Sequence, residues 1–110
     1  MRPPDAPGWQ HTATSWLLDL CPADYRGYAA LTRHPLALAH LAGAHVGADL
    51  NALREARAGA RAALSEVLDA RSLAEVLGVL DVEEARLIAA RRGVTLVEQA
   101  LRGRRHIPRL

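Results

Sequence analysis

The sequence predicts an all-α protein: a long antiparallel helical hairpin with a short N-terminal helical lid, two copies of which pair into a four-helix bundle. Three observations lead there. No proline falls between Pro35 and Pro108, a stretch dominated by Ala, Leu, Arg and Glu, which are strong helix formers. Apolar residues recur along it at alternating three- and four-residue spacing, the signature of a helix with one greasy seam. The spacing is interrupted near Leu68–Arg71, where a tight connection reverses the chain.

The elements follow in order. Residues 1–13 hold three prolines and a glycine within their first eight positions and are expected to be disordered. Thr14 or Ser15 caps a short helix over Trp16–Leu20 that Pro22 ends. A turn over Ala23–Tyr28 and a short helix over Ala29–Arg33 complete a lid, residues 14–34. Trp16, Leu17, Leu20, Tyr25, Tyr28 and Leu31 are its anchors, expected to dock near Leu38, Leu41, Val97 and Leu101.

Pro35 suits a helical first turn, where its missing N–H costs nothing. The first arm is expected to run to about Val67, roughly 50 Å at about 1.5 Å per residue. Its seam reads Ala39, Gly43, Val46, Leu50, Leu53, Ala60, Leu64 and Val67, with Arg57 as the one polar member. Ser72 with Glu75 has capping-box spacing and opens the second arm. Val76, Leu80, Leu87, Ala90, Val94, Val97 and Leu101 continue its seam, and Gly103 ends it. Asp81 with Glu84 offers an alternative break near Gly78–Asp81, but no proline enforces it. Residues 14–103 thus form a single helical domain, with the hairpin over 35–103 and a basic tail over 104–110.

Folding the arms together sets Arg54 and Arg57 within reach of Asp81 and Glu84, and His40 near Glu98. Exposed ion pairs of this kind contribute about 0.2–1 kcal/mol each, so they set register more than they stabilise. The lid is too short to cover the whole hairpin. Leu53, Leu64, Leu73, Val76 and Leu77 therefore remain as an interface, and a homodimer is the expected solution.

Composition narrows the function classes. The 14 positive side chains are all Arg, and Ala (22) outnumbers Leu (18), so the core is thin and closely spaced. The net charge of +2 is unevenly distributed: residues 1–101 carry 10 Arg against 12 acids, a net of −2, and residues 102–110 carry four Arg and no acid. A near-neutral body argues against a folded nucleic-acid binder. Cys21 is the lone cysteine, no stretch is apolar and long enough to span a membrane, and the start lacks a secretory h-region. A cytoplasmic protein is expected, with no cofactor.

His45 and Asp49 lie four residues apart on one helix face and, with His40 nearby, are the only candidates for a metal or small ligand. Cys21 shows no sign of an activated thiol, and Gly43, Gly47, Gly59 and Gly78 form no phosphate loop. Arg54, Arg57 and Arg61, then Arg86, Arg91 and Arg92, form stripes interleaved with acids, as on a solvated face.

Three segments carry a resemblance: Trp16-Leu-Leu-Asp-Leu-Cys-Pro-Ala-Asp-Tyr-Arg-Gly-Tyr, Arg33-His-Pro, and Ala100-Leu-Arg-Gly-Arg-Arg-His-Ile-Pro-Arg-Leu. Over Ser15–Leu110 the chain resembles a set of short, uncharacterised helical proteins from high-GC actinobacteria. The resemblance implies a cytoplasmic setting and carries no activity, cofactor or site residue.

The expected function is therefore a non-enzymatic helical interaction protein that self-associates and offers its tail to a protein partner. Ile107 and Leu110 would anchor that tail, while Arg102, Arg104, Arg105 and Arg109 would meet carboxylates or phosphates. A second reading is a nucleic-acid- or ribosome-associated factor using its Arg side chains. A third is a ligand or metal binder at His40, His45 and Asp49.

Overall fold

Gly8 holds a left-handed backbone (φ 76°), a conformation that suits glycine, and from it helix α1 runs Trp9–Asp19. The computed structural model describes residues 8–105, and of Arg104 and Arg105 the backbone only. Among the described residues every element is helical: α1, a short 3-10 helix at Ala23–Gly27, α2 (Ala29–Arg33), α3 (Pro35–Leu64) and α4 (Ala70–Arg105).

The first helix starts earlier than its sequence suggested. The expected disorder over residues 1–13 does not hold from Trp9 onward, and residues 1–7 lie outside the described ones. The reason is a helical stripe. Trp9, Ala13 and Leu17 recur every four residues and are all buried, with 2% of Trp9 exposed. The prolines end at Pro7, before that stripe begins. Thr14 and Ser15 consequently sit inside α1, not at its cap.

The chain forms two compact units. The first holds residues 8–45 and 92–105: α1, the 3-10 helix, α2, the opening turns of α3 and the closing turns of α4. Its core is Trp9, Ala13, Leu17 and Leu18 from α1, Leu38, Ala39 and Ala42 from α3, and Val94, Val97 and Leu101 from α4. Trp16, Leu20, Tyr25 and Leu31 pack around it, as the lid anchors were expected to do. Tyr28 is the exception, more than half exposed. Full burial of a leucine such as Leu17 or Leu38 contributes about 1.5–3 kcal/mol, so this cluster dominates the unit.

Of two glycines between the layers of this unit, one is required for their approach. A Cβ on Gly43 would lie 3.5 Å from Val94 Cγ1, ordinary contact. A Cβ on Gly93 would lie 2.6 Å from Trp16 Cη2, too near to coexist with the ring. Gly93 is thus the floor on which the indole rests.

The second unit, residues 46–91, is an antiparallel helical hairpin. Arg54 Nε lies 3.2 Å from Glu84 Oε2, Arg57 Nη1 lies 3.5 Å from Glu84 Oε1, and Arg57 also pairs with Asp81. These are the cross-arm pairs expected from the seam register. Val46, Leu50, Ala60, Leu73 and Leu87 are buried.

The reversal differs in detail from the sequence reading. Helix α3 stops at Leu64, and the Leu68 N–H donates to Leu64 O at 2.8 Å as the chain turns. Val67 stands in that turn, 72% exposed, and is not part of the seam. Asp69, not Ser72, caps α4: its Oδ1 accepts the Ser72 N–H at 2.7 Å. An aspartate there satisfies a donor that Ser72, already inside the helix, cannot reach. Helix α4 passes through Gly78–Asp81 without a break. It also runs on to Arg105, past the expected stop at Gly103, because one interior glycine costs only about 1 kcal/mol and no proline intervenes before Pro108.

Candidate interaction surface

The predicted site residues scatter. Arg102 lies on α4, where its Nη2 donates to Glu98 Oε1 at 2.9 Å and its Nε at 3.2 Å. Glu98 is therefore engaged by its own helix neighbour and not by His40, which is exposed. Arg104 and Arg105 continue the helix, so the tail leaves the domain as helix and not as an extended strand at these positions. Ile107, Arg109 and Leu110 lie outside the described residues.

His45 is half-buried, and the Tyr25 hydroxyl lies 2.9 Å from its Nε2. The rings meet edge to face with centroids 5.4 Å apart. This bond fastens the 3-10 helix to α3 and engages one of the two ring nitrogens of His45. Among the described residues no group of three or more His, Cys, Asp or Glu could hold a metal ion. Asp49 is exposed and adds to the favourable field at Arg86. Cys21 is partly buried, and that burial pushes its thiol up, away from the reactive thiolate.

In the first unit an open cleft of about 640 Å³ is lined by Gln10, Arg33, His34, Pro35, Leu36, Ala37 and Leu101. In the second a smaller one, about 320 Å³, lies among Arg61, Ala70, Leu73, Leu77, Gly78 and Asp81.

Of the expected interface residues, Leu73 is 8% exposed and belongs to the interior of its own hairpin, since α4 begins at Ala70 and turns it inward. Leu53, Leu64, Val76 and Leu77 are half-buried. The largest apolar side chains left in water on α4 of this unit are ones the seam reading omitted: Val79, 60% exposed, and Val82, 68% exposed. They sit three residues apart, on a face with Glu75, Gly78, Ala85, Arg86 and Ala89, all exposed. The signal was present in the sequence as a second three/four stripe, but the longer leucine seam beside it masked it.

Charges bracket this face. Arg86 donates to Glu83 Oε2 from Nη2 at 2.7 Å and from Nε at 3.1 Å, while Arg71 reaches Glu75 at 3.7 Å. The hydrogen bond from Arg86 holds the Glu83 carboxyl below its usual range, and the same bond raises the guanidinium. Many of the arginines proposed for nucleic acid are thus already matched by acids.

No family model, curated protein or solved structure matches the chain. No helix among the described residues is long and apolar enough to cross a membrane.

Proposed function

We propose that this chain is a non-enzymatic helical interaction module that self-associates through the unit of residues 46–91 and presents its basic C-terminal segment to a protein partner. The observation that carries the reading is the pair Val79 and Val82 standing mostly in water on a hairpin whose Leu53, Leu64, Val76 and Leu77 are only half-buried. Two helices packed on each other hide one stripe apiece, and a third layer is needed to hide more. The first unit obtains that layer from α1. Among the described residues, the second has only its own hairpin, and a second hairpin supplies the same cover and yields a four-helix arrangement. The matching of Arg54, Arg57, Arg86 and Arg102 by carboxylates favours protein over nucleic acid as the partner.

Sedimentation velocity tests this. A dimer is expected at micromolar concentration, and a clean monomer with full helicity overturns the self-association. Removing residues 104–110 is expected to leave the dimer intact and to weaken binding of an acidic peptide by the tail.

A further inference from the structure

The geometry points to the outer face of α4 as a docking surface for α4 of a second copy, antiparallel and centred between Val79 and Val82. The inference rests on the self-association reading above and specifies its surface.

The face is self-complementary. A two-fold axis between positions 79 and 82 sets Val79 of each copy opposite Val82 of the other, which closes both exposed valines at once. The same operation sets Glu75 opposite the partner's Arg86, and Arg86, which Glu83 of its own helix already holds at 2.7 Å, opposite the partner's Glu75, so that the guanidinium is shared between the two carboxylates. Two reciprocal ion pairs thereby flank one apolar centre. In the single chain Glu75 has only the long 3.7 Å approach of Arg71, so it retains acceptor capacity for such a pair. A parallel arrangement in register loses this, because it stacks Glu75 on Glu75 and Arg86 on Arg86.

Shape agrees with charge. Gly78, Ala85 and Ala89 lie on the same face and present no long side chain, so two backbones can approach to about 8–10 Å. A Cβ on Gly78 would meet nothing within 4 Å in the single chain. No neighbour within the chain claims that space, and a second helix can. The face lies apart from the leucine seam that joins α3 to α4 in this hairpin, so docking there leaves the hairpin core untouched.

Sedimentation equilibrium over about 5–500 μM, with circular dichroism to verify helicity, tests the surface. Gly78→Gln meets open space in the monomer and replaces an interior glycine, so it keeps the fold; it is expected to weaken dimerisation at least about tenfold. Val82→Glu is expected to do the same. Glu75→Arg and Arg86→Glu are each expected to weaken it, and the double variant to recover to within about threefold of the original. Each single change carries its own cost on its own helix, so recovery reads only the contact between copies. Val67→Ser, in the turn, is expected to change nothing. A dimer that persists unweakened in Gly78→Gln and Val82→Glu overturns this face and leaves self-association standing. Weakening by those two without recovery in the charge swap overturns the antiparallel register. A wild-type monomer throughout overturns both the face and the reading beneath it.

Discussion

In residues 8–45 and 92–105, Trp9, Leu17 and Leu38 are sealed from water, each at 2% exposure or less. In residues 46–91 the same two long helices continue with no indole sealed among them; Val79 and Val82 stand at 60% and 68%, as Leu96 of the first unit does at 65%, so the units differ in their buried anchors. Both stretches are rich in Ala, Leu and Arg, but the aromatic anchors Trp9, Trp16, Tyr25 and Tyr28 all lie in the first. What separates them is a third layer. Helix α1 lays two indoles, Trp9 and Trp16, and two leucines, Leu17 and Leu18, across one pair of helix segments, and among the described residues no such element belongs to the other unit. A two-helix hairpin satisfies its backbone internally but hides only a stripe of each helix. A pair of helices with a third layer and a pair without one are alternative outcomes of one architecture.

The comparison is broken most severely by emptying the lid. Trp9→Ala removes a buried indole and is expected to cost about 3–5 kcal/mol, read as a fall in the urea midpoint. A small loss would mean that α1 merely lies on the surface.

Glycine-to-alanine changes on one helix sharpen the contrast, because they should differ in sign. Gly93→Ala drives a methyl into Trp16 and is expected to destabilise by about 1–3 kcal/mol. Gly78→Ala meets open space and is expected to stabilise by about 0.5–1 kcal/mol, measured at a concentration low enough to keep the chain monomeric. Equal effects would erase the distinction between the units.

Tyr25→Phe deletes the hydroxyl bonded to His45 and should cost about 1 kcal/mol, with helicity retained. Amide exchange in the 3-10 helix is the finer measure and should accelerate.

The smallest effect belongs to the turn of the second unit. Asp69→Ala removes the α4 cap and is expected to lower Tm by about 2–6 °C at neutral pH. The Ser72 N–H holds the Asp69 carboxyl below its ordinary 3.8, so its contribution is present above that value and is lost as pH falls through the depressed one. Asp69→Asn retains a cap without the charge and should flatten the acid limb of Tm against pH. An unchanged limb would remove Asp69 as its source.

Much of this was legible in the chain before any coordinates. Pro35, the proline-free run after it and the leucine spacing placed both long helices, and the same spacing paired Arg54 and Arg57 with Asp81 and Glu84. Local periodicity sufficed because a helix face repeats every few residues and two seams meet in only one register. Other features escaped. The stripe Trp9–Ala13–Leu17 is present in the sequence, but the prolines just before it, Pro3, Pro4 and Pro7, mask it. The Asp69 cap is not read from sequence because Ser72 with Glu75 has capping-box spacing, and only the backbone path says which residue precedes the first turn.

The sequence by itself determined the helical class, the two seams and the basic ending, since each follows from the periodicity and charge of neighbours along the chain. Only the tertiary structure decided that Tyr25 meets His45, that Trp16 rests on Gly93, and that Val79 and Val82 remain uncovered. Those facts depend on which surfaces come together across long stretches of chain, and burial, unlike periodicity, is a property of neighbours in space.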